Sequence, residues 1–294
     1  MANQARQVRY RFTPRQVAGW AITLLRGQRR SLFADSRLFL GAVGAQPRVD
    51  GASHLPTHGP VVLAPNHYQR PGLWVGWSAS AVVQATVGQR PDLRNGLHML
   101  ITAEWPLRLF GRAYSNPLLR LLFRRLTAMY GLVALPAMAG QVAGRAGALR
   151  AAAALVTRQG PHHALLFFPE GRSGDGLLEA LPGSGDFLAL LSRLGVPIIP
   201  CAVCEDAGQL VVRFGPPLAL VTRGPADRAG RDTAARDAVM LAIGRLLPPP
   251  LWGAYTGALT ADQARSDPST LVLQRRIRQL RTQHPHHAAD GDDV

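Results

Sequence analysis

The sequence predicts an α/β domain whose mixed, largely parallel sheet is flanked by helices and preceded by an N-terminal helical segment. Three observations predict it. Between about residues 49 and 250, short apolar runs alternate with longer amphipathic or Ala-rich stretches, the pattern of strands joined through helices. Two of the runs stop at a proline and deliver polar residues: Asn66 and His67 follow Pro65, and Glu170, Gly171 and Arg172 follow Pro169. Strands ending in polar residues at one sheet edge are how open α/β folds assemble a site. Ahead of them, residues 14–45 carry Val17, Trp20, Ile22, Leu24 and Leu25, then Leu32, Phe33, Leu38, Phe39 and Leu40, interspersed with Arg26, Arg29 and Arg30. Such a mixture suits helices at a membrane surface, or a helical pair packed on the domain with its arginines in solvent.

Taken in order, residues 49–60 form a turn-rich lead-in, 61–64 a strand, 73–87 a helix and 97–102 a strand. Helices follow at 106–110 and 117–126, each with a proline near its start, where the missing N–H is tolerated. A strand at 129–135 precedes a strong Ala-rich helix at 141–158. Then come a strand at 163–168, a helix at 186–194, strands at 197–203 and 210–214, and a helix at 231–247. Pro248, Pro249 and Pro250 stop that last helix. The chain thus divides into a basic helical segment at 1–45, an α/β domain at 46–253, and a polar, partly disordered tail at 254–294. Within the tail, 271–280 reads as a short basic helix. His284, His286 and His287 lack a core to fix metal geometry, so no metal is expected.

The 294 residues and an apolar fraction of 47% allow a sizeable core. The net charge is +15, carried by arginine alone, because the chain contains no lysine. Nine arginines stand in the first fifty residues against two aspartates, which supplies +7 of that total. A basic surface meets anions: a membrane, nucleic acid or a phosphorylated substrate. Nucleic acid is not expected, because no helix-turn-helix, zinc finger or phosphate loop accompanies the charge. The stretch Pro182-Gly183-Ser184-Gly185-Asp186 lacks the glycine spacing of a serine-hydrolase elbow.

Cys201 and Cys204 are the two cysteines. Their C-x-x-C spacing falls on a strand, where residues three apart face opposite ways, so neither a redox pair nor a metal site follows. With no signal-peptide pattern and no disulfide framework, the expected setting is cytoplasmic. The uncharged stretches at 71–89 and 126–144 read as buried elements rather than membrane spans.

His67 and the Glu170-Gly171-Arg172 loop together place an imidazole near a carboxylate and a guanidinium. In that order and spacing, NHYQRP and FFPEGRS resemble the first and third blocks of the glycerolipid acyltransferase family, whose best-known members are the 1-acylglycerol-3-phosphate acyltransferases. Val196-Pro197-Ile198-Ile199-Pro200 resembles a fourth block. The lead-in residues Val49, Gly51, Leu55, Pro56, Gly59 and Pro60, and the later VVRFGPP at 211–217, are similar too. The resemblance runs from about residue 49 to 250 and implies a glycerol-3-phosphate acyltransferase-like fold.

It also implies O-acyl transfer from acyl-CoA or acyl carrier protein to a hydroxyl of a lysophospholipid or related glycerolipid, with no further cofactor. Neutral His67 would be the general base that takes the hydroxyl proton. Asn66, Arg70, Glu170, Gly171 and Arg172 would shape the acceptor side. Backbone N–H groups near Gly171 would serve the oxyanion. The basic N-terminal helices would hold the protein peripherally on the inner face of an anionic membrane.

Three positions depart from the family's pattern. The aspartate expected five residues after His67 is Gly72. The third block reads E-G-R-S, so its arginine arrives one position early. Pro136 stands where the second block should end in Asp-Arg. Glu104, Asp175 or Asp186, or a backbone carbonyl, could hold His67 instead, and Arg70, Arg145 or Arg150 could help bind the acceptor. The alternative is an acyltransferase-fold protein without efficient catalysis that binds lipid or regulates.

Overall fold

The computed structural model describes residues 10–103, 107–109, 112–114, 116–136, 142–158, 160–220 and 227–266, with side chains outside 104–115, 137–143 and 266. Its strands are β1 Arg48–Asp50, β2 Val61–Pro65, β3 Leu97–Thr102, β4 Leu107–Leu109, β5 Arg112–Tyr114, β6 Val133–Leu135, β7 Ala164–Leu166, β8 Ile198–Asp206 and β9 Gln209–Phe214. Seven of them form one sheet in the order β1-β9-β8-β2-β7-β3-β6. Every pairing is parallel except β8 with β9. β4 and β5 pair antiparallel as a separate hairpin. The expected α/β class with a mixed, largely parallel sheet is therefore the observed one.

The helices are α1 Pro14–Leu25, α2 Leu32–Ala42, α3 Val75–Gln89, α4 Pro117–Tyr130, α5 Val142–Arg158, α6 Ser184–Arg193, α7 Arg228–Gly244 and α8 Thr256–Ser266. The chain leaves β2 through α3 and crosses over β7 to reach β3. It leaves β7 through α6 and crosses over β2, in the other direction, to reach β8. Parallel crossovers are right-handed, so opposite directions put the two helices on opposite faces of the sheet. The two cores follow that division. Val61 and Leu63 of β2 pack with Trp77, Val82 and Val83 of α3, and Val62 and Ala64 face the side built by α5, α6 and α7. All five residues of β2 are buried, as expected of a parallel strand covered on both sides.

Cys201 belongs to one core cluster and Cys204 to the other, both as free thiols. Burial pushes both thiols above their usual range, which keeps them protonated and poor as nucleophiles or ligands.

Thr13 and Gln16 close a capping box at the start of α1. The first 45 residues do not stand apart from the rest. Leu40 is fully buried in the α3-side core, and Gln84 Nε2 donates to Phe33 O at 3.0 Å. Phe12 stacks on Trp77 at 4.8 Å, with the Tyr10 and Phe39 rings beside it. The buried Asp35 carboxylate accepts from Arg30 and from the Tyr130 hydroxyl at the end of α4. Arg125 of α4 donates to the carbonyls of Leu24 and Leu25, at the C-terminus of α1. At the other end of the chain, α8 stands inside the stretch expected to be a tail, and Trp252, Tyr255 and Leu259 enter the core. The expected helix at 271–280 and the terminal histidines lie outside the described residues.

Two local expectations are corrected. Residues 106–110 were expected to be helical, yet Leu107–Leu109 is strand β4. Its Leu-Arg-Leu alternation has a period of two, and so short a run fits either template. The strand expected at 129–135 begins only at Val133, because α4 continues to Tyr130 and is closed by Gly131 at φ 65°. A glycine in the left-handed region is the usual end of a helix.

At the N-terminal ends of β3 and β7, the His98 and His163 rings stack at 5.3 Å, with His98 Nε2 and His163 Nδ1 3.1 Å apart. His98 Nδ1 lies 3.0 Å from Gly131 O. A carbonyl only accepts, so His98 carries its proton on Nδ1 and its Nε2 accepts from His163. Burial, and then the charges of His98 and His162, hold the His163 pKa below its ordinary value. As pH falls through about 6.5, the unfolded chain therefore binds the proton first and the fold loses stability. Thermal unfolding at pH 7.5 and 5.5 should show a smaller acid-induced loss for His163→Gln than for the unaltered protein.

Candidate active site

β2 and β7 are neighbours and run parallel, although about a hundred residues separate them in the chain. Their C-terminal ends therefore emerge side by side, and their chains depart in opposite directions. A crevice at such a switch point is where open α/β sheets hold ligands. His67 stands on one lip and Glu170-Gly171-Arg172 on the other. The two loops are sewn together by their backbones: Gln69 N donates to Gly174 O at 2.8 Å, and Gly174 N donates to His67 O at 3.1 Å. Ser173 Oγ adds a bond to Gln69 Oε1 at 2.8 Å.

Asn66 is buried and faces the opposite neighbour, β8. Its Nδ2 donates to Val203 O at 3.0 Å, and its Oδ1 accepts from Val203 N at 2.7 Å. An amide is the one uncharged side chain that can complete both halves of a backbone pair in this way. Asn66 thus extends the β2–β8 ladder where β2 itself has ended, and its polar atoms are spent on that bond pair.

The Glu170 carboxylate is 1% exposed and is used in the same manner. Oε1 accepts from His67 N at 2.6 Å and Oε2 from Leu178 N at 2.7 Å. Burial raises its pKa to about 7, against the two backbone donors and the Arg172 charge, which favour the ionised form.

The His67 ring packs against Phe168 with centroids 4.6 Å apart. Its Nδ1 is buried and has no hydrogen-bond partner among the described residues. Burial lowers its pKa, partly offset by the backbone of Arg172. The imidazole is therefore neutral at pH 7 and carries no charge that needs a counter-ion.

Gly171 adopts φ 58°, and a Cβ there would lie 2.1 Å from Leu181 Cδ1. Backbone conformation and packing both require glycine. Its N–H donates to Phe168 O at 3.2 Å and closes the turn, so of the N–H groups near the expected oxyanion site this one is already engaged. Arg172 is exposed at the rim of an open depression of about 420 Å³, shared with Asp175 and Glu179. Arg70 is held differently. Its guanidinium makes a two-pronged pair with Glu205 at the end of β8, both side chains nearly buried, and Nη1 donates to Pro71 O at 2.7 Å. The site thus brings together Asn66, His67, Glu170, Gly171 and Arg172, with Arg70 beside them but paired.

Gly72 lies in the left-handed region at φ 81°, and its carbonyl accepts from Tyr10 N at 2.8 Å. The N-terminal segment therefore sits against the loop where a carboxylate was expected. Tyr10, Gln69, Arg70, Gly72, Trp74 and Asp175 border a second open depression of about 550 Å³. Of the acids named as substitutes, Asp186 pairs with Arg228, Asp175 lines both depressions, and Glu104 lies outside the described residues. Arg145 of α5 reaches Pro136 O at 3.3 Å, beyond the end of β6. Sequence reasoning missed Glu205 and Tyr10. Glu205 meets Arg70 across 135 residues and Tyr10 meets Gly72 from the N-terminal segment, so no local pattern marks either contact.

No protein-family model matches the chain. No curated protein matches it either. A solved structure similar to it is the 1-acyl-sn-glycerophosphate (LPA) acyltransferase PlsC from Thermotoga maritima, at 12% identity and a TM-score of 0.44, over 80% of this chain and 84% of that one.

Proposed function

We propose that the protein is an O-acyltransferase that moves a fatty acyl group from acyl-CoA or acyl carrier protein to a hydroxyl of a lysophospholipid or related glycerolipid. The observation that carries this reading is the His67 imidazole, neutral and half-buried at the lip of the β2–β7 crevice, with the Glu170-Gly171-Arg172 turn facing it. The block resemblance of NHYQRP, FFPEGRS and VPIIP supports the same reading. His67 takes the acceptor's proton as its oxygen attacks the thioester carbonyl. The carbonyl becomes a tetrahedral oxyanion, which then collapses with cleavage of the C–S bond, and the proton passes to the leaving thiolate. Arg172 offers the exposed guanidinium at the rim for an anionic group on either substrate. Purified protein with labelled acyl-CoA or acyl carrier protein and a panel of lysophospholipids is expected to yield labelled diacyl product. Absence of transfer to every acceptor would leave the second reading, a lipid-binding protein of the same fold. That reading is favoured by the unpartnered His67 Nδ1 and by the lack of a carboxylate at Gly72.

We further infer peripheral attachment to anionic lipid on the cytoplasmic face. No helix among the described residues is long and apolar enough to cross a membrane. Exposed apolar side chains do cluster on two helices that touch: Val17, Ile22 and Leu25 on α1, and Leu118, Leu121 and Leu122 on α4. Arg15, Arg26, Arg120 and Arg124 are exposed around them. Removing residues 1–45 is a poor test, because α2 and Phe12 help cover α3. Point substitution leaves the core intact. Leu118→Asp combined with Leu121→Asp should lower partitioning onto phosphatidylglycerol vesicles by at least about 10-fold, since each buried leucine contributes about 1.5–3 kcal/mol. Unchanged partitioning in a sedimentation assay would contradict the assignment.

A further inference from the structure

We propose that Glu170 is the positioning residue for His67, holding the base through its backbone N–H where the usual carboxylate partner of the ring is missing. The proposal deepens the acyl-transfer reading and rests on it for the meaning of His67 as a base. Its structural content stands on separate observations.

Glu170 is spent entirely on two amides from two different loops. One belongs to His67, the first residue of its loop to leave the buried end of β2. The other belongs to Leu178, in the loop leading to α6. A carboxylate so deeply buried is costly unless its lone pairs are used. Here both oxygens meet donors. Glutamine at this position would turn an NH2 toward one of them, leaving two donors face to face. The requirement is thus for a carboxylate, and the geometry says why.

The other side of His67 is fastened in the same style, by the Asn66 amide on the backbone of Val203. The residue is therefore pinned to the β7 loop by its own N–H and carbonyl, at Glu170 and Gly174, and tied to β8 through its neighbour Asn66. Its ring touches Phe168 and bonds to no side chain among the described residues. Gly72 supplies no acid, and its loop is occupied by the Tyr10 contact. A base whose ring meets no carboxylate, and only the backbone of Arg172 beside it, depends for its aim on a fixed backbone of its own. A misplacement on the order of 1 Å costs about 100-fold in rate.

The experiment uses the full chain with Glu170→Gln, and Glu170→Asp as a second variant that keeps the charge but shortens its reach. Histidine ring NMR follows the His67 titration, and acyl transfer is measured in parallel. Glu170→Gln is expected to lower kcat by about 100-fold with KM unchanged, and to move the His67 titration up toward about 6.5 as the ring gains solvent. Glu170→Asp should move both in the same direction. In the unaltered protein, the His67 and Leu178 amides should resist hydrogen exchange although both lie in loops. That measurement decides the matter if neither variant folds. An unshifted His67 titration in a folded Glu170→Gln variant, or fast exchange at both amides, overturns the proposal. Failure of the unaltered protein to transfer acyl groups would sink the acyl-transfer reading instead, and the titration and exchange results would still decide the role of Glu170.

Discussion

Glu205→Ala is expected to destabilise the protein by about 3–5 kcal/mol, the cost of stranding a nearly buried guanidinium. Arg70 has an 8% exposed side chain and Glu205 a 12% exposed one. The pair closes a loop to a strand across 135 residues. The Tyr68 hydroxyl approaches the same carboxylate, and the Tyr10 ring lies 6.0 Å from the guanidinium carbon. Without Glu205, the Arg70 charge keeps its bond to Pro71 O but loses its two-pronged carboxylate pair. A double replacement, Arg70→Met with Glu205→Leu, should recover most of the loss, because an apolar pair of similar volume leaves no charge to desolvate. Urea unfolding of the two single variants and the double variant separates these outcomes. Equal losses for the double variant and Glu205→Ala would mean that packing, rather than charge, sets the cost. The same pairing bears on the site. A guanidinium already matched by a carboxylate is a weak receptor for a substrate phosphate, so Arg70 contributes to holding the loop, while Arg172 remains the exposed cation at the rim.

His67→Ala should reduce acyl transfer by about 10²–10⁴-fold, the usual contribution of a positioned general base. Stability should stay the same or rise. The ring is half-buried, and its Nδ1 sits out of water with no partner. Removing a buried group whose hydrogen bond is unmade relieves a desolvation cost of about 1–3 kcal/mol, which offsets the packing lost against Phe168. Activity and melting temperature moving apart would mark a residue kept for chemistry at some cost to the fold. A variant that loses both together would point to a packing role, and one that keeps its activity would remove His67 from the mechanism.

The sheet was legible because its strands are short apolar runs bounded by proline and glycine, and the pairing of β2 with β7 was foreshadowed by their shared ending. The identity of the site residues was legible for the same reason: Asn66, His67 and Glu170 stand directly after those endings. Their tasks were not. Asn66 and Glu170 read as groups facing a substrate, yet both turn inward onto backbone, because a buried amide or carboxylate must satisfy its polar atoms wherever the fold offers donors and acceptors. Those partners, Val203 and Leu178, are backbone positions without any side-chain signature. Arg70 likewise read as a substrate-binding cation, yet the end of β8 brings Glu205 beside it. The short hairpin at β4 and β5 was misread because a run of three to five residues fits a helix or a strand equally well. The N-terminal helices read either as membrane-surface helices or as a pair packed on the domain, and nothing in their sequence announces that Trp77 lies beneath Phe12.

The order of the sheet also has a consequence for how the chain comes off the ribosome. β2 is buried along its whole length, yet both of its sheet neighbours, β7 and β8, are made later. At about 5–20 residues per second, the apolar run Val61–Pro65 has neither neighbour for roughly 5–20 s after it is synthesised. During that interval it can rest against α3, which is local, but both of its edges remain open to other strands. The strand that ends in the base thus waits through about a hundred residues of synthesis for its first sheet neighbour, and the nascent chain is open to aggregation at the segment on which its chemistry depends.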